Sequence, residues 1–68
     1  MRAMDAAEYR AVLRALGLTQ VEAARLLEVS ERMSRYYAHG DYPIPPSTAA
    51  LLRLMVKTTT TAAELEAL

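Results

Sequence analysis

The sequence predicts an all-α domain of four to five short helices, and three observations carry that expectation. Apolar residues recur at helical spacing, small polar residues stand where helices would begin, and glycines stand where two of them would end. The composition agrees: 53% of the 68 residues are hydrophobic, drawn mostly from Ala, Leu, Met and Val, with no Phe or Trp. At this length the chain is one domain, near the size where a single core only just supports folding. Cysteine is absent, so no disulfide or thiolate metal site helps it, and His39 has no second histidine with which to share a metal. A partner subunit is the expected help.

Tyr9, Val12, Leu13 and Leu16 mark the buried face of a first helix over 5–16, with Asp5 as N-cap and Gly17 as the left-handed residue that ends it. A second helix begins at Thr19. Thr19 and Glu22 have the spacing of a capping box, in which each side chain satisfies a backbone N–H of the other. Val21, Ala24 and Leu27 form its expected stripe, with Ala23 and Leu26 beside it, and it stops near Leu27 or Glu28. Ser30 is the next N-cap, so a third helix runs from Glu31 to about Ala38 or His39 and ends at Gly40. Two helices joined by so short a turn cross at a large angle, the helix-turn-helix geometry.

Pro43, Pro45 and Pro46 make 41–46 an extended loop, with Pro46 able to open a fourth helix over about 47–57. Four consecutive threonines from Thr58 form helix poorly, and TAAELEAL could make a short final helix. In the fourth helix, Ala50, Leu51, Leu54 and Met55 read as the core stripe, which leaves Ala49, Leu52 and Val56 off it. A helix apolar nearly all round is buried nearly all round, and so small a chain has no second layer to cover it. Leu52, Val56, Leu65 and Leu68 are therefore the expected dimer interface, in a region spanning 46–68. The alternative is that the tail folds back over Leu52 and Val56 within one chain.

On a helical wheel, the third helix turns Ser34 and Tyr37 one way, with Met33 beside them. Arg32, Arg35 and Tyr36 turn the other way, with Glu31 at the edge. Arginine donates two hydrogen bonds to guanine O6 and N7, so this face suits the major groove of double-stranded DNA. Arg32 and Arg35 are the expected base readers; the bland alternative is that they are ordinary solvated charges. Tyr36 can reach a phosphate or a thymine methyl group, and Glu31 can accept from cytosine N4. The second helix would turn its N-terminus to a phosphate, making Thr19 and Gln20 candidate backbone contacts, unless they only cap the helix. Ser30 and Tyr42 join them as candidate phosphate contacts.

The stretch LGLTQVEAARLLEVSERMSRYYAHGDYPIPPSTAALLRLM resembles the lambda-repressor/Cro-like, or XRE-type, helix-turn-helix family. The matching features are Gln20 opening helix two, Ala24 within it and Leu27 closing it. Val29-Ser30 in the turn, an aromatic at Tyr37 and Gly40 closing helix three complete the match, which covers about residues 9–57. Within that family, SERMSRYY and YPIPP look like the small autorepressors associated with anti-CRISPR operons of phage-like elements. The resemblance implies a homodimer on an inverted repeat in its own promoter, with Arg32 contacting bases. Three positions depart from the pattern. Glu28 stands where the family usually has Gly, at a cost of about 1 kcal/mol for a left-handed non-glycine residue. Ser34 replaces an apolar residue in mid-helix three. Val21 and Glu22 stand where such autorepressors can carry arginines.

Formal net charge is zero, from eight basic and eight acidic side chains. That counts against a nucleic-acid binder unless the charges are segregated. A two-fold dimer would segregate them, presenting two copies of Arg32 and Arg35 to successive major grooves about 34 Å apart. The expected function is thus transcriptional repression through operator binding, by one domain over 1–68 with its helix-turn-helix at 19–39. The other reading is the DNA-binding antitoxin of a toxin–antitoxin pair, although the tail after Lys57 is short for neutralising a toxin. An enzyme is not expected, because no cysteine, paired carboxylate or second histidine offers chemistry. Nor is any cofactor, metal or small-molecule ligand. No segment has the length or apolarity of a signal peptide or membrane span, so a cytoplasmic location is expected.

Overall fold

The computed structural model describes residues 3–58, which form four helices and, among the described residues, no strand. The expected fifth helix lies outside them, as do Leu65 and Leu68. Helix α1 is Ala6–Leu16, α2 Gln20–Leu27, α3 Glu31–His39 and α4 Pro46–Thr58. Helix α1 packs against both α3 and α4, and α2 packs against α3, an arrangement compatible with a helix-turn-helix domain.

The first three helices start by one device. An oxygen of the N-cap side chain accepts from the backbone N–H three residues on: Asp5 from Glu8 at 2.8 Å, Thr19 from Glu22 at 3.1 Å and Ser30 from Met33 at 3.0 Å. At α2 the box is closed, because the Glu22 carboxylate accepts from the Thr19 N–H at 2.9 Å. Hydrogen bonding from Thr19, first from its backbone N–H and then from its side chain, holds the exposed Glu22 carboxyl below its ordinary pKa.

The same three helices also end alike, on a left-handed residue: Gly17 at φ 72°, Glu28 at φ 57° and Gly40 at φ 83°. The residue after each returns an N–H to the helix, Leu18 to Leu13 at 2.8 Å, Val29 to Ala24 at 3.0 Å and Asp41 to Tyr36 at 2.9 Å. Glu28 therefore adopts the conformation that the family resemblance associates with glycine. It is the only non-glycine residue with positive φ among the described residues.

Tyr9, Val12 and Leu13 of α1, Ala23 of α2, Tyr37 and Ala38 of α3, and Ala49, Leu52 and Met55 of α4 form the core. Met4 and Ile44, from outside the helices, close it at its ends. Tyr9 and Tyr37 meet edge to face, with centroids 5.7 Å apart.

Helix α4 is rotated away from the expected stripe. Leu52 is 0% exposed within one chain, so it has no surface to give a partner and belongs to the core. Ala49 and Met55 are buried beside it, whereas Leu54, expected inside, is 56% exposed. The apolar pattern leaves the buried face open, and the face taken is one that also lets a charged pair form. Arg53, at the edge of the Ala49–Leu52–Met55 face, makes a two-pronged pair with Glu8 of α1, Nε to Oε2 at 2.7 Å and Nη2 to Oε1 at 2.8 Å. That fork adds a directional contact to the burial of Leu52 and Met55, where an apolar pattern running nearly all round marks no single face. Val56 stays at the surface, 38% exposed. In α2 one position departs from the expected stripe, while Ala24 is buried as expected and Leu27 packs against the core. Val21 is exposed, and Ala23 takes the buried place expected for it.

Replacing Glu28 with Gly is expected to raise stability by up to about 1 kcal/mol, less the extra freedom Gly gains when unfolded. Gly17→Ala is expected to lower it by about 1 kcal/mol, since an added Cβ would meet no neighbour and only the backbone strain counts. Thermal melts of both variants check the pair. The Glu22 box supplies its stability above the ordinary carboxylate range and loses it as pH falls through the depressed folded-state pKa. Glu22→Gln should flatten that part of the acid limb of a pH–stability curve.

Candidate nucleic-acid interface

Helix α3 has two unlike sides. Ser34, Tyr37 and Ala38 are buried, at 0%, 6% and 1% exposure. Glu31, Arg32 and Arg35 are exposed, and Tyr36 is half-buried between the two sides. Among the described residues neither Arg32 nor Arg35 has an ion-pair or hydrogen-bond partner. Their donors face water, as the wheel expects.

The buried side is held by a polar group where an apolar one was expected. The Ser34 hydroxyl lies 2.8 Å from the Gln20 carbonyl oxygen and 2.8 Å from the Tyr9 hydroxyl. A serine hydroxyl has one proton, and a carbonyl can only accept. Ser34 must therefore donate to Gln20 and accept from Tyr9, so the order runs from Tyr9 to Ser34 to Gln20. Burial pushes the Tyr9 pKa above its ordinary value, which keeps that donor protonated. Met33 is only partly buried and packs at the core's edge.

Thr19 and Gln20 are exposed at the start of α2, and Thr19 does cap it. The cap serves the N–H of Glu22, while the N–H groups of Gln20 and Val21 point out of the first turn with no partner among the described residues. An open cleft beside them is lined by Arg10, Leu13, Arg14, Leu18, Thr19 and Gln20. It brings two α1 guanidinium groups to the same end of the domain. Arg10 is partly committed, donating to the Ala38 carbonyl; Arg14 is exposed and unpaired among the described residues. The sequence pattern gave no reason to join Arg14 to Gln20, because only the reversal at Gly17 puts them side by side.

Ser30 is exposed, and its oxygen is occupied by the cap of α3 while its proton has no partner among the described residues. Tyr42 is 51% exposed and packs on Tyr36, with centroids 4.9 Å apart and planes at 42°. Gly40 turns the chain back along α3, and Pro43 restricts Tyr42 to extended backbone, so two tyrosines named separately from sequence form one aromatic pair. Of the expected dimer residues, Val56 lies on the surface, Leu52 lies in the core, and Leu65 and Leu68 lie outside the described residues.

Among the described residues no group of three or more His, Cys, Asp or Glu gathers, and no helix is long and apolar enough to cross a membrane. Compared with known proteins, the chain gives no significant match to a family model, a curated sequence or a solved structure, so the site must be read from its own geometry.

Proposed function

We propose that the protein is a sequence-specific binder of double-stranded DNA that represses transcription as a homodimer on an inverted repeat. The observation that carries this reading is the bare side of α3, where Arg32 and Arg35 stand exposed without partners opposite a fully packed side. Unpaired arginines on a short helix that follows a three-residue turn fit guanine edges in a major groove. Thr19, Gln20, Ser30 and Tyr42 flank that side as donors for backbone phosphates, and Arg14 extends the set. Glu31 shares the exposed end of α3 and suits a cytosine N4 donor.

Zero net charge is compatible with this, because Arg32 and Arg35 share the exposed side of α3 and Arg10 and Arg14 of α1 line the cleft beside Gln20, while Arg53 is neutralised by Glu8. Leu54 and Val56 are both exposed near the end of α4, and a second copy is the partner we assign to these residues. The regulated DNA would be the promoter of its own gene, with operons of the anti-CRISPR type as the narrower assignment that the SERMSRYY and YPIPP segments support.

A mobility-shift assay on the DNA upstream of the gene, with a solution mass measurement, tests the reading. Arg32→Ala and Arg35→Ala should each cost about 1–3 kcal/mol of specific binding, roughly 5- to 150-fold. Melting temperatures should stay close to the parent's. Both variants binding as tightly as the parent would remove the basis of the assignment. Affinity should also fall steeply with added salt, because phosphate contacts release counterions. A flat salt response would point to a protein partner instead.

A further inference from the structure

Ser34 sits directly behind the side of α3 that carries the unpaired arginines, two residues after Arg32 and one before Arg35. Its hydroxyl is fully buried and makes two 2.8 Å bonds, one to the first residue of α2 and one to α1. Apolar contact constrains a helix by volume and tolerates sliding or rotation of a few degrees. A hydrogen bond constrains both distance and angle. The Ser34–Gln20 bond joins α3 to the same first turn of α2 whose free N–H groups are offered to phosphate. One atom thus ties the two DNA-facing parts together.

We infer that Ser34 is a positioning residue: its hydroxyl, oriented by Tyr9, locks the rotation of α3 against α2 and thereby sets how finely Arg32 and Arg35 discriminate sequence. The inference rests on the DNA-binding reading and deepens it. Ser34 itself touches no DNA. What it controls is the angle at which two guanidinium forks meet base edges, and recognition geometry of this kind fails at displacements of about 0.5 Å or 10–20°.

The test separates stability from discrimination. The parent protein first enriches its preferred duplex from a random-sequence pool. Affinity for that duplex is then measured against the unselected pool, alongside a thermal melt, for the parent, Ser34→Ala, Ser34→Cys and the double variant Tyr9→Phe/Ser34→Ala. Ser34→Ala strands the buried Tyr9 hydroxyl and should melt lower. The double variant removes both hydroxyls and should regain much of that loss, because no buried group is left unsatisfied. Discrimination should not return with it. The ratio of selected to unselected affinity is expected to fall on the order of tenfold in both variants, the scale of one mispositioned arginine fork. Ser34→Cys keeps the side chain small and buried while weakening the bond, so it should keep most of the stability and still lose several-fold in the ratio. A double variant that recovers discrimination with stability, or a Ser34→Cys protein with the parent's ratio, would overturn the inference and leave Ser34 a packing residue. Failure of the parent to enrich any duplex would instead sink the DNA-binding reading, and this inference with it.

Discussion

A serine hydroxyl has one proton to give, and Ser34 gives it to Gln20. The rest of the helical arrangement can be followed outward from that bond. It holds the first turn of α2 against the middle of α3, and Tyr9 completes it from α1, so three helices meet at one buried oxygen. With Ser34, Tyr37 and Ala38 committed inward, Arg32 and Arg35 have only the solvent side left. Burying a hydroxyl unpaired would cost about 1–3 kcal/mol, so the site is tolerable only because both of its hydrogen bonds are made. No buried side-chain N or O among the described residues lacks a partner.

The ends of the first three helices were legible because their signals are local. Asp5 with Glu8, Thr19 with Glu22, and Ser30 with Met33 are pairs three residues apart, and the left-handed closures at Gly17 and Gly40 need nothing from the rest of the chain. Helix α3 was legible for a related reason, since its polar and apolar residues fall on clearly opposite sides. Glu28 shows that the left-handed demand at the end of α2 belongs to the turn and is met even without glycine.

Helix α4 was not legible in the same way, and the reason is physical. When Ala49, Ala50, Leu51, Leu52, Leu54, Met55 and Val56 are all apolar, periodicity no longer marks a face. Its rotation is settled only in three dimensions, where Leu52 and Met55 enter the core and Arg53 pairs with Glu8, 45 positions away in sequence. Met4 and Ile44 escaped notice because they lie outside helices, where no periodic signal exists to place them in the core. The cleft shared by Arg14 and Gln20, and the Tyr36–Tyr42 pair, depend likewise on chain reversals at Gly17 and Gly40. Leu52 illustrates the cost of reading α4 from pattern alone: a residue assigned to a partner turns out to be the centre of the monomer's core.

The proposal that one side of α3 engages DNA is tested most directly by following backbone amide resonances while a duplex carrying the upstream region of the gene is titrated into labelled protein. If this side of α3 binds DNA, the largest shifts fall on residues 31–36 and on the first turn of α2, with the buried core residues of α4 little changed. Shifts confined to the exposed end of α4, or none at saturating duplex, would contradict it.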